Sequence, residues 1–122
     1  MNKSDIDKIE SETGLKLPTS YIEVVTNYPA ELLNTDAKDF GLLDDPEVII
    51  EENQSVRTNG YFGEKWPERY IIIGINGCGD YYVTTSECKD FEIGFADHEA
   101  MACNLYASSL NEFIEKYTND QA

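Results

Sequence analysis

Three short runs between residues 70 and 96 constrain the fold of this chain most. Tyr70-Ile71-Ile72-Ile73 is apolar and rich in β-branched residues, and Asp80-Tyr81-Tyr82-Val83-Thr84 follows a glycine-rich connection. Glu92-Ile93-Gly94-Phe95-Ala96 alternates with period two. They read as three consecutive antiparallel strands, near 70-74, 80-84 and 92-96. On either side the pattern is helical. Ser4 followed three residues on by Asp7 marks a first helix, with Ile6 and Ile9 on one face and Gly14 placed to stop it. Pro18 suits the first turn of a second helix, in which Tyr21, Val25 and Tyr28 recur at helical spacing before Pro29 ends it. Asp44 or Asp45 caps a third segment with Pro46 at its first position and Val48, Ile49 and Val56 as core contacts; Val48-Ile49-Ile50 fits a helix or a short strand. Near the C-terminal end Ser109 caps, Glu112 completes a box, and Leu110, Phe113, Ile114 and Tyr117 form an i, i+3, i+4, i+7 stripe. Helices flanking a meander predict an α+β fold: one domain over 1-122, with a central mostly antiparallel sheet and N-terminal helices and a C-terminal helix packed around it.

The charge is extreme. The chain of 122 residues holds 24 acids and 9 bases, a formal net charge of −15. Fourteen aromatic residues, Trp66 among them, are too many for a disordered acidic tail, so the chain is expected to fold. At this length it buries enough surface for one core and not two. The acids are spread along it: residues 1 to 61 hold 13 acids and 5 bases, and residues 62 to 122 hold 11 and 4. Such a surface repels nucleic acid and anionic membranes and draws cationic partners at low salt. Acidity also serves solubility alone, and composition does not separate the two.

Cys78, Cys88 and Cys103 are odd in number and contain no C-x-x-C, which points to a reducing compartment. The N-terminal residues lack an apolar signal region, and the longest uncharged stretch, Ala100 to Asn111, is too short and polar to span a bilayer. A cytoplasmic protein is expected.

Catalytic chemistry finds little support. Gly74-Ile75-Asn76-Gly77-Cys78-Gly79-Asp80 has the glycines of a phosphate-binding loop, but a strand rather than a helix follows it and Asp80 would repel phosphate. A hairpin turn fits better. Cys78, Cys88, His98 and Cys103 form a zinc-compatible set, yet their spacings of nine, nine and four intervening residues match no paired-ligand knuckle. His98-Glu99 lacks the second histidine of a zinc-protease helix, since Ala102 stands at that position. As the single histidine, His98 is flanked by Asp97 and Glu99, which oppose a cysteine thiolate beside it. No catalytic residue, metal or cofactor is assigned.

An acidic, aromatic surface remains. Asp44, Asp45, Glu47, Glu51 and Glu52 lie within nine positions, and on a helix Glu47 and Glu51 share a face. Tyr81 and Tyr82 fall on opposite faces of their strand, so that one packs inward and the other is available as an interface anchor. These seven residues are the candidates for partner binding.

The order of motifs resembles the SUKH superfamily, which includes the Smi/Knr-type cell-wall assembly regulators. The residues that carry the likeness are Leu17-Pro18-x-x-Tyr21, Tyr28-Pro29-x-x-Leu32, Trp66, Ile73-Gly74-x-x-Gly77-x-Gly79-Asp80-x-Tyr82, Asp97-His98-Glu99 and Ala107-Ser108-Ser109-Leu110-x-x-Phe113-Ile114. The resemblance implies an α+β fold and no catalysis. It implies an immunity protein that neutralises a polymorphic or contact-dependent toxin, such as a nuclease, by direct binding; larger fungal relatives are regulatory interaction modules instead. It also implies that Pro18, Tyr21, Trp66, Gly74, Gly77, Gly79 and Asp80 determine the fold rather than contact a toxin.

Overall fold

Asn2 and Asp5 start the first helix. The computed structural model describes residues 1–77, 79–85, 92–97 and 102–121, without the side chains of residues 102, 103, 110, 120 and 121. Helix α1 spans Lys3–Thr13. The Asn2 side chain accepts from the Asp5 N–H (2.9 Å) and the Asp5 carboxylate accepts from the Asn2 N–H (3.0 Å), a reciprocal box two residues ahead of the expected Ser4–Asp7 pair. Both pairs have the required spacing; starting at Asn2 adds the Ile6 N–H to Asn2 carbonyl bond (3.2 Å) to the helix. Gly14 ends α1 at φ 73, a left-handed conformation that glycine adopts without strain.

Helix α2 covers Thr19–Thr26, and Pro18 stands one position before it as the cap rather than within its first turn. Tyr21 and Val25 are fully buried. Tyr28 lies beyond the helix end, where its hydroxyl donates to the Leu42 carbonyl (2.6 Å). Pro29 leads into a single 3-10 turn, Ala30–Leu32. Helix α3 covers Pro46–Asn59; Asp45 caps it by accepting from the Glu47 N–H (2.9 Å), and Pro46 occupies the first position. Val48-Ile49-Ile50 is therefore helical.

Strands β1 (Tyr70–Ile75), β2 (Tyr81–Thr85), β3 (Ile93–Asp97) and β4 (Ala102–Ala107) pair antiparallel in the order β1-β2-β3-β4. A fourth strand thus joins the three expected, drawn from the uncharged stretch before the last helix. Helix α4 spans Leu110–Gln121. The Ser109 hydroxyl accepts from the Glu112 N–H (3.2 Å), while the Glu112 carboxylate accepts from the neighbouring Ser108 hydroxyl (2.8 Å).

Consecutive β1 side chains enter two cores. Ile71 and Ile73 pack with Ile9, Tyr21, Val25, Leu42, Ile49 and Phe113 of the helical side. Ile72, with Val83 and Ala96, packs against Val56, Tyr61 and Trp66 on the other face. Burial on both sides explains the unbroken Ile71-Ile72-Ile73 run, and each such side chain contributes about 1.5–3 kcal/mol by removal from water.

The outer edge of β1 is closed. Asn53, buried on α3, bonds both backbone groups of Ile72; the Leu43 N–H donates to the Ile73 carbonyl (2.9 Å) and the Ile75 N–H to the Phe40 carbonyl (2.9 Å). Arg57 Nη2 (2.7 Å) and Trp66 Nε1 (3.1 Å) donate to the Tyr70 carbonyl. Gly74 is required for this docking, because a Cβ there would lie 2.0 Å from the Gly41 carbonyl oxygen. No described helix is long and apolar enough to cross a membrane.

Candidate protein-binding surface

The β1–β2 connection is a hairpin clamped by two side chains. Asn76 Nδ2 donates to the Asp80 carboxylate (2.8 Å), the Asp80 N–H donates to Asn76 Oδ1 (3.1 Å), and the Asn76 N–H donates to the Asp80 carbonyl (3.2 Å). Gly77 and Gly79 take φ 81 and 96, which their lack of a side chain permits. The glycines and the Asp80 carboxylate thus close a turn, as the hairpin reading expects, and Asp80 is almost fully buried.

Beside this hairpin lies a cleft of about 130 Å3 lined by Asp36, Phe40, Ile75, Asn76, Tyr82 and Tyr117. The Tyr117 hydroxyl donates to Asp36 (2.7 Å) and accepts from the Gly41 N–H (3.4 Å). Burial, and then the Asp36 carboxylate, push the Tyr117 pKa above the ordinary tyrosine value, so the hydroxyl stays a donor. Tyr82 lines the cleft and belongs to an aromatic group, its ring centroid 5.1 Å from Phe95, 5.1 Å from Tyr106 and 5.7 Å from Phe113.

Tyr81 points to the opposite face, as strand alternation requires. Its hydroxyl donates to Glu52 (2.9 Å), and its ring packs 5.4 Å from Tyr61 and 5.7 Å from Trp66. Burial first and Glu52 second raise its pKa. Tyr81 and Tyr82 are both half-buried, so the expected division into one packed and one available tyrosine is replaced by two that each show an edge.

The acidic candidates take different partners, and helix α3 carries Glu47 and Glu51 one turn apart. Asp44 accepts from the Met1 ammonium (2.7 Å) and pairs with Lys38 (3.6 Å); Asp45 is spent on the α3 cap. Glu47 pairs with Lys8 of α1, and Glu52 turns toward the sheet to meet Tyr81. Glu51 is exposed. Of the five, only Asp45, Glu47 and Glu51 are exposed at the surface.

Next to the hairpin, a second tight turn presents an aromatic ring. The Tyr61 N–H donates to the Glu64 carbonyl (2.7 Å) and the Glu64 N–H to the Tyr61 carbonyl (3.0 Å), enclosing Phe62 and Gly63 at φ 47 and 86. Left-handed backbone costs an L-residue with a bulky side chain about 1–2 kcal/mol. Phe62 is nevertheless 61% exposed. Asp36, Phe40 and Phe62 were not among the sequence candidates. The signal for Phe62 was local, an aromatic between Gly60 and Gly63; Asp36 and Phe40 sit in a segment whose course is set by distant β1.

Cys78, Cys88 and His98 lie outside the described residues, as does the side chain of Cys103, so the zinc-compatible set is not placed. Among the described residues, no group of three or more His, Cys, Asp or Glu is arranged to hold a metal.

The family model described as the SMI1 / KNR4 family (SUKH-1) matches residues 1–116. The chain belongs to this family, which is known for toxin immunity and is generally non-enzymatic. No curated protein and no solved structure matches the chain.

Proposed function

We propose that this SUKH-1 member is a cytoplasmic immunity protein, folded as one domain over 1-122, that neutralises a cognate toxin by direct protein–protein binding. The observation that carries the reading is the family match over residues 1–116 on a chain of net charge −15. A toxin that acts on nucleic acid presents a basic cleft, and an acidic domain covers such a cleft by competing for the charges that hold phosphate. Among the named candidates, Asp45, Glu47 and Glu51 supply exposed charge, while half-buried Tyr82 supplies an aromatic ring beside Asp36 and Phe40 and half-buried Tyr81 one on the opposite face of the sheet. No catalysis and no cofactor enter this mechanism.

Co-expression with the product of the adjacent reading frame tests it, scoring rescue of growth and recovery of a complex. Rescue with a complex is the expected result; a toxic neighbour that is not neutralised overturns the reading. The association rate of that complex is expected to fall by about tenfold or more across a tenfold rise in ionic strength, as steered encounters do. A salt-insensitive rate would remove the electrostatic part.

A further inference from the structure

Asp36 is the one carboxylate in the lining of the cleft beside the β1–β2 hairpin, and no basic group shares that lining. It is exposed, yet its position is fixed from within the fold. The Tyr117 hydroxyl donates to its Oδ1 (2.7 Å). Tyr117 is 3% exposed, its ring stacks on Phe113 at 5.8 Å, and a Cβ at Gly41 would come within 2.1 Å of that ring. A carboxylate held by so confined a partner loses little freedom when a cation meets it. Asp36 forms no ion pair with the described residues, in contrast to Asp44 and Glu47. The Tyr117 bond needs an acceptor and not a charge, because the carbonyl oxygen of an asparagine would serve it as well. The fold therefore leaves the Asp36 charge unused.

The rest of the lining selects the occupant. Phe40, Ile75 and the Tyr82 ring are apolar, and Asn76 is already bonded to Asp80 (2.8 and 3.1 Å). An apolar lining with one carboxylate matches the methylene stem and cationic head of lysine or arginine. The cleft, at about 130 Å3, is well below the roughly 300 Å3 at which small-molecule sites begin. A single carboxylate is also too few for calcium, which takes about 6–8 oxygen ligands.

We propose that this cleft receives one lysine or arginine side chain of a partner protein, its charged head on Asp36 and its stem against Phe40, Ile75 and Tyr82. The net charge of −15 draws a cationic partner and opposes a second copy of the chain as the source of that side chain. The inference rests on the toxin-binding reading and assigns the acceptor for one cationic side chain of the toxin.

The test compares Asp36→Asn with Asp36→Glu against the toxin domain encoded by the adjacent reading frame. Asparagine keeps the shape and the Tyr117 bond but removes the charge; glutamate keeps the charge and alters the shape. Expected for Asp36→Asn are a melting temperature within about 2 °C of the wild type and an affinity weakened by about tenfold or more. Asp36→Glu is expected to retain more affinity than Asp36→Asn. Asp7→Asn, which removes the same charge from α1, is expected to stay within about twofold of the wild type. A wild-type complex whose affinity Asp36→Asn leaves unchanged within about twofold overturns the proposal and leaves the toxin-binding reading standing. An affinity lower in Asp36→Glu than in Asp36→Asn shows that shape and not charge is read, and overturns it too. An equal loss in Asp7→Asn assigns the effect to net charge and overturns the cleft as its place. Absence of a wild-type complex overturns both readings, and a wild-type dimer in sedimentation that Asp36→Asn dissolves overturns the choice of partner.

Discussion

The side-chain amide of Asn53 stands to Ile72 as a neighbouring strand would. Its Oδ1 accepts from the Ile72 N–H (2.9 Å) and its Nδ2 donates to the Ile72 carbonyl (3.0 Å), all in a fully buried site. The same Nδ2 donates to the Ile49 carbonyl (2.9 Å), and Arg57 donates to Oδ1 (3.0 Å).

Asn53→Asp is therefore expected to destabilise the protein by about 2–4 kcal/mol, because one carboxylate oxygen would face the carbonyls of Ile72 and Ile49 with no proton to offer. Asn53→Leu is expected to cost a similar amount by stranding both Ile72 groups. Urea denaturation of the two variants measures this.

Gly74→Ala probes the closed edge from the other side. Its methyl group would overlap the Gly41 carbonyl, so the segment that reaches β1 through Phe40 and Leu43 must move away. A loss of about 3 kcal/mol is expected, as for a well-packed site forced apart. Hydrogen exchange at the Leu43 and Ile75 N–H groups is expected to accelerate more than exchange within α1.

Alkaline pH is expected to weaken the fold. Burial raises the pKa of Tyr21, Tyr28, Tyr81 and Tyr117, reinforced by Asp44 for the first two, by Glu52 for Tyr81 and by Asp36 for Tyr117. In the unfolded chain these hydroxyls titrate near about pH 10, so above that value the unfolded state holds fewer protons than the folded one and stability falls as pH rises. Their contribution is complete below about pH 10 and is lost as pH climbs through the raised values. Denaturation midpoints taken through this range, followed with tyrosinate absorbance, should fall as unfolding and ionisation proceed together.

Two neighbouring acids should separate by role. Asp45→Ala removes the α3 cap and is expected to cost about 1 kcal/mol of stability. Glu51→Gln is expected to change stability by less than about 0.5 kcal/mol yet slow association with a basic partner at low salt. Thermal melts and stopped-flow binding distinguish them, and a slowed Glu51→Gln rate at high salt as well as low would count against a steering role.

Legibility in the sequence followed the range of the interaction. Gly14, the Asp45-Pro46 start and the Phe113–Tyr117 stripe act through near neighbours, and they mark real helix features. The three expected strands stand within a residue or two of their observed limits. Strand β4 was hidden because Ala102–Ala107 carries few strand-favouring side chains and pairs only once β3 is in place. At the N-terminal end two overlapping cap signals competed and Asn2 won. The segment from Leu33 to Asp44 takes its course from contacts with β1 about thirty residues away, which no local pattern encodes. In the site, the hairpin function of Gly77, Gly79 and Asp80 was readable from the strand that follows them. The partners of the acidic run were not, since Met1, Lys8, Lys38 and Tyr81 meet it only in the folded chain.

The closed edge of β1 also bears on how copies of this molecule stack. Open-ended fibres built by strand addition need two free sides on every unit, one to accept and one to offer. Here the first side is occupied from Tyr70 to Ile75 by an amide, a guanidinium, an indole and a stretch of backbone. Strand-by-strand growth would therefore terminate at a pair, so an adhesive surface elsewhere on the molecule would not seed a polymer by strand addition.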